Sequence, residues 1–233
     1  MGEKIKITVN YLKSSFNKEV EKGTTIEDIL LSMDKDNKEM IVAAILDNEL
    51  VTLTTEIEKE CTFEFIDITN KDGSKIYQAG LSFIYVKAAK DILDKCIINI
   101  KHSLSKGLYT EIEGPKDITT EDVQAIKKRM QEIIDEDIKF EKIPLSVEEA
   151  GKIFEEQNLL SQARVLKYID KEYINVYKCG WMTSYFYWTM VPSTRYISKF
   201  DLVKYAGGII LRFPRIEDKY TIPEFVENPK IAR

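Results

Sequence analysis

The sequence predicts an α+β fold, with strands at both ends of the chain and helices between them. Three observations carry that prediction. Apolar residues alternate with polar ones over Lys4–Asn10 and again over Thr62–Ile66, the period of half-buried strands. Between Ser74 and Gln157 they return every three or four residues, the period of helices. After Glu172 the pattern is strand-like again and breaks at Gly207-Gly208. Helices grouped apart from strands mark the α+β class.

Each element has a local reason. Ile5, Ile7 and Val9 share one face of a first strand, and Ser14–Val20 supplies a second that can pair with it as a hairpin. Thr25 and Asp28 open a helix that runs through Met33, because the Thr hydroxyl caps a free amide and Asp suits the positive helix end. Val42–Leu46 reads as an inner strand, Asp47-Asn48-Glu49 as a turn, and Leu50-Val51 and Thr62–Ile66 as further strands. Two strands, a helix and then short strands is the order of a β-grasp. Asn70-Lys71-Asp72-Gly73 reads as a boundary.

A helix is predicted from Ser74 to about Ile98, with Ile76, Leu81, Ile84, Tyr85, Ala88 and Ile92 inward. Gly80 inside it implies a close packing contact, a bound group or a kink. Ser103–Lys116 reads as a connector. Thr119–Asp122 starts a long helix with Val123, Ile126, Met130, Ile133 and Ile134 buried and Lys127, Lys128 and Arg129 solvated. A short strand over Ile138–Pro144 follows. A capping box at Ser146 and Glu149 then opens a helix over Val147–Gln157, with a helix or turn over Leu159–Ile169. The closing strands are expected at Tyr173–Lys178, Tyr185–Val191, Leu202–Tyr205 and Ile209–Phe213.

Composition narrows the function. The 233 residues are 44% hydrophobic and 31% charged, enough apolar material for a core without staples. A net charge of −5 argues against a broad duplex-binding surface, although a local basic groove remains compatible with it. Cys61, Cys96 and Cys179 are odd in number and lack CxxC spacing, which fits a reducing, cytoplasmic compartment. No signal peptide and no membrane-spanning run is visible. His102 is the only histidine, so a two-histidine mechanism cannot be built, and its flanks read as a surface position. No Walker-type phosphate loop, GxGxxG, HExxH or Gly-x-Ser-x-Gly occurs.

The densest chemical signal is Tyr177–Trp188, where six of twelve residues are aromatic and both tryptophans fall. So many rings in one short segment cannot all enter one core, and some are expected to line a cleft or partner surface.

Residues 1–68, above all Ala43-Ala44-Ile45-Leu46-Asp47-Asn48-Glu49-Leu50-Val51, resemble a TGS domain, the β-grasp module at the front of threonyl-tRNA synthetase. Residues 72–216 resemble the editing-like α+β domain that follows there, through Asp72–Phe83, Thr119–Asp135 and Lys204–Gly208. In that family two histidines of an HxxxH motif and a later Cys-x-x-x-His form a metal-binding editing site. Here those positions fall on Ala79, Phe83, Cys179 and Thr183, so one ligand type of four survives. The resemblance therefore implies a cleft without its zinc, and no cofactor, because Ala and Phe offer no donor atom.

A narrower resemblance, through the Tyr-Phe-Tyr run, Met190–Thr194 and Ile209–Arg215, is to the front of bacterial uridine kinase-like proteins. It implies that 217–233 is a linker to a C-terminal kinase domain beyond Arg233. The chain would then be a non-catalytic, ligand- or RNA-binding regulatory module, not an enzyme by itself. Its ligand would be a nucleotide, an amino acid or RNA. Trp181, Tyr185 and Tyr187 would stack a base, Arg195 or Arg212 would meet phosphate or carboxylate, and Gln78, Ser82, Ser193 and Thr194 would supply neutral hydrogen bonds. Two alternatives stand beside it. One is a metal-independent aminoacyl-tRNA deacylase with Cys179 as nucleophile or substrate contact. The other is a structural module whose aromatic run forms a homodimer or interdomain face.

Overall fold

The computed structural model describes residues 3–33, 40–93 and 95–225. The first part comprises β1 (Lys4–Tyr11), β2 (Ser14–Glu21), β3 (Thr24–Thr25), α1 (Ile26–Leu31), β4 (Ile41–Leu46), β5 (Glu49–Val51), β6 (Glu56–Ile57) and β7 (Cys61–Asp67). Ile5, Ile7, Val9 and Tyr11 alternate inward along β1. β1 pairs antiparallel with β2 and parallel with β7, giving a mixed sheet of order β2-β1-β7-β4-β5. The predicted cap of α1 is a full capping box. The Thr25 hydroxyl accepts from the Asp28 amide, and the Asp28 carboxylate accepts from the Thr25 amide. Asp47 and Asn48 both have positive φ, the paired left-handed residues of a tight hairpin turn between β4 and β5.

The predicted boundary at Asn70–Gly73 is the first turn of the next helix, α2 (Lys71–Ile92), capped by the Asn70 side chain accepting from the Asp72 amide. Gly73 is required there, since a Cβ would sit 2.0 Å from the Asp67 carbonyl oxygen. α2 is buried along most of its length because it runs between the first sheet, α3 (Thr120–Asp135) and a 3-10 turn at Thr194–Tyr196. Gly80 is explained by packing alone: a Cβ would lie 3.0 Å from Ile197 Cδ1 and 3.2 Å from Val191 Cγ2.

Three sequence expectations are corrected. α2 ends at Ile92 rather than near Ile98, because Leu93 is already extended and Ile97–Leu104 form β8. The expected connector Ser103–Lys116 holds β9 (Gly107–Glu113), joined to β8 through Ser105 and Lys106, both at positive φ. β9 is an inner strand of a sheet of order β13-β14-β9-β8, with β13 at Asp201–Tyr205 and β14 at Gly208–Arg212. Finally, no strand covers Tyr185–Val191. A third sheet, β10 (Glu141–Ser146), β11 (Tyr173–Cys179) and β12 (Met182–Ser184), stops at Ser184. Beyond it the Tyr185 amide donates to the Gln162 side chain, and the Pro192 carbonyl accepts from Phe140 N. These bonds replace a ladder.

α4 (Val147–Glu156) carries the predicted Ser146/Glu149 capping box, and α5 (Leu160–Leu166) follows. One contiguous apolar cluster reaches from Ile5 to Phe213. The architecture is thus mixed α and β with several sheets. Of the stretch expected as a linker, residues 226–233 lie outside the described residues. Residues 217–225 pack back: Asp218 pairs with Lys106 at 2.9 Å, Tyr220 donates to Asp67 at 2.6 Å, and the Phe225 ring meets Tyr205. No described helix is long and apolar enough to cross a membrane.

Candidate functional site

α2 supplies the floor of the site. Its capped start and apolar periphery hold Ser82, Phe83 and Val86 on one side, where they line a cavity of about 220 Å³. β8 contributes Ile97–Ile100, the turn between α4 and α5 contributes Asn158 and Leu159, and Gln162, Met182, Ser184 and Phe186 complete the wall. The polar groups there are neutral. Gln162 fixes β12 twice, its Nε2 donating to Ser184 Oγ at 2.7 Å and its Oε1 accepting from Tyr185 N at 2.8 Å. Gln157 accepts from Thr183 N at 3.0 Å. Such a cavity can hold a small apolar or hydroxylated group by shape and neutral hydrogen bonds.

The four positions matched to the metal ligands are all buried: Ala79, Phe83, Cys179 and Thr183. The Phe83 ring lies 5.3 Å from Phe140 edge-on and 5.8 Å from Phe186 stacked. Aromatic carbon therefore occupies the second histidine position, and the donor set does not fit a zinc site. Among the described residues no group of three His, Cys, Asp or Glu could hold a metal ion.

Cys179 ends β11 fully buried, and burial pushes its thiol up to about 12 despite the nearby Lys87. It is a thiol rather than a thiolate at neutral pH, which removes the physical basis for a cysteine nucleophile. His102 is exposed on β8, its ring 5.7 Å from Tyr109. Beside Cys179 lies a charged cluster that the residue pattern did not reveal. Lys87, with a side chain only 3% exposed, pairs with Asp91 at 3.3 Å. Asp91 also accepts from Arg129 Nε at 2.9 Å and from Trp181 Nε1 at 2.8 Å. Burial pushes the Asp91 carboxyl up, but the bonds from Arg129 and Trp181 and the Lys87 charge outweigh it and hold it below the ordinary carboxylate range.

The remaining candidates separate into three places. Ser82 lines the cavity, and Gln78 sits half-buried on α2 outside it. Tyr185 and Tyr187 line a second, open concavity with Trp188, whereas Trp181 is held apart by Asp91. Ser193, Thr194, Arg195 and Arg212 are engaged with protein. Ser193 donates to Asp137, and Thr194 Oγ1 donates to the Ile133 carbonyl at 2.7 Å and accepts from Ile138 N at 2.9 Å. Arg195 pairs with Glu27 and Asp137 at 3.5 and 3.4 Å. Arg212 is buried, donating to Asp201 at 3.1 Å and to the Pro223 carbonyl. The residue pattern missed Gln162, Asn99, Asn158 and Phe186 as wall residues. The β-branched run Ile97-Ile98-Asn99-Ile100 was the available signal for β8.

No family model matches the chain. Curated relatives do. A threonine–tRNA ligase of Caldanaerobacter subterraneus subsp. tengcongensis is 29% identical over 209 residues, which is 89% of this chain and 32% of the relative. Those of Clostridium kluyveri and Ehrlichia chaffeensis are 29% and 28% identical over 84% and 85% of this chain, and 31% of each relative. The chain thus spans about a third of the length of these relatives. They overturn the expected uridine kinase-like parent and, with it, the kinase and transferase activity and the regulatory role tied to them.

Proposed function

We propose that this chain is an aminoacyl-tRNA-synthetase-type module that takes the aminoacylated end of tRNA into the cavity beside Phe83 and releases the amino acid in a metal-independent, deacylase-like reaction. The observation that carries this is the similarity of 84–89% of the chain to about a third of several threonine–tRNA ligases. The mixed sheet and α1 support a β-grasp, TGS-like unit over 1–68, and the elements of 72–216 support an editing-type unit behind it.

In the reaction, the oxygen of a water molecule attacks the ester carbonyl carbon. The bond to the ribose oxygen breaks, and that oxygen takes the proton the water loses. Ser82, Ser184 and Gln162 are the groups of this chain that hold the aminoacyl group and the water, by neutral hydrogen bonds. No step passes through a metal, because Ala79 and Phe83 carry no ligand atom, and none through Cys179, because its thiol stays protonated.

The test is release of free amino acid from threonyl-tRNA and from mischarged tRNA by the full chain. Hydrolysis of one of them is expected, unchanged by chelator and by Cys179→Ser, and lowered at least tenfold by Gln162→Ala. Intact aminoacyl-tRNA throughout would remove the deacylase reading, and a loss with chelator would remove its metal independence.

A further inference from the structure

The cavity has a neighbour on the other side of the same segment. Phe186 is common to the linings of both. The second concavity is open and larger, about 680 Å³, within the range of about 300–1,000 Å³ typical of ligand sites. Its floor is the exposed face of β10 and β11. Tyr173 and Tyr177 point to one side of β11, as i and i+4 residues of a strand do, and Lys142 stands directly across the ladder from Tyr177. Its wall is the irregular segment after β12, carrying Tyr185, Tyr187 and Trp188.

The rings here are not spent on packing. Tyr187 is 82% exposed, Tyr173 60% and Trp188 36%. Tyr187 and Trp188 stand perpendicular, 5.4 Å apart, which leaves ring faces open toward the groove. The charge is locally reversed against a chain of net −5. Lys142 and Lys171 line the groove against Asp170 alone, and neither lysine is in an ion pair among the described residues. Lys75 sits 4.1 Å over the Trp188 ring and adds a further positive charge at that end.

We propose that this groove binds single-stranded RNA, with unstacked bases on the Tyr173, Tyr187 and Trp188 faces and the backbone beside Lys142 and Lys171. Open aromatic faces with interspersed lysines are what single strands need, because every base has a face to stack and every link a phosphate to neutralise. A duplex is excluded, since its bases are already stacked on each other and its faces are closed. The inference rests on the reading above only in taking RNA as the partner. It adds a second site, for the strand rather than for its aminoacyl group.

The experiment is fluorescence anisotropy of a labelled single-stranded 12-nucleotide RNA titrated with the full chain, against the same RNA as a blunt duplex. Tyr187→Ala and Tyr173→Ala are each expected to weaken single-strand binding by about 5- to 100-fold. Tyr168→Ala is the control, since that side chain is 89% exposed and lies outside the lining; it should bind as the parent does. The Lys142→Ala, Lys171→Ala double variant should lower the salt slope of binding by roughly one unit. No single-strand binding, equal binding of the duplex, or unchanged affinity in both tyrosine variants overturns the proposal. So does a dimer, seen by sedimentation, that Tyr187→Ala breaks. Intact RNA binding with no deacylation would remove the function proposed above and leave this groove standing.

Discussion

The two sides of the segment from Met182 to Trp188 are built differently. On the cavity side, every polar atom of β12 is met by a glutamine, and rings from α2 and the segment itself fill the space. On the groove side, rings and lysines face outward with few partners. A single run of twelve residues thus provides a buried wall and an exposed one. The lesson is that aromatic density in sequence does not define a site; burial assigns each ring a role. The cavity side should respond to substitution through stability, and the groove side through binding alone.

The largest effect is expected at Phe83. Its ring is fully buried between Phe140 and Phe186, so Phe83→Ala should cost about 3–5 kcal/mol of unfolding free energy, read by denaturant titration. A loss below 1 kcal/mol would show that the cavity wall is loosely packed and would blur the contrast with the groove.

Next is Asp91, the partner of buried Lys87. Asp91→Asn should cost about 3 kcal/mol at neutral pH, because it leaves a buried ammonium without its counter-charge. The depressed carboxyl also sets a pH dependence. Its stabilisation is complete above the ordinary value of 3.8 and is lost as pH falls through the lower folded value. Thermal melts of the parent should therefore fall more steeply with acid below about pH 4 than those of the variant. Equal slopes would show that Asp91 is not held by the cluster.

A smaller effect is expected at Gln162, whose side chain makes two bonds to β12 and the residue after it. Gln162→Ala should cost about 1–3 kcal/mol by leaving a buried amide and hydroxyl unmet. The smallest is at Tyr187. Tyr187→Ala should change stability by less than about 0.5 kcal/mol, since the ring is exposed, while RNA affinity drops as stated above. A large loss of stability there would mean that the groove side is structural after all.

Much of the fold was legible because its signals are local. All three Thr- or Ser-led capping boxes, at Thr25, Thr119 and Ser146, form as the spacing predicts. Strands that alternate cleanly, such as β1, were legible for the same reason. β8 and β9 were not. Ile97 and Ile98 continue the apolar spacing of α2 in sequence, and the hairpin turn at Ser105-Lys106 lacks the Asn-Gly pattern that marks such turns. At the site, Ser82 and Tyr187 were legible as polar and aromatic candidates. Gln162 and the Lys87–Asp91–Arg129–Trp181 cluster were not, because their partners lie tens of residues away in the chain.

By itself the sequence determined what chemistry is available: no metal ligand at Ala79 or Phe83, one histidine, neutral donors near α2, and a dense aromatic run. Those are covalent facts that no folding can alter. Only the tertiary structure decided that Cys179 is sealed away, that Ser193, Thr194 and Arg212 are occupied by protein partners, and that Tyr173, Tyr187 and Trp188 share one open groove. The physical reason is that burial and hydrogen-bond partnership depend on contacts between distant segments, which local periodicity does not encode.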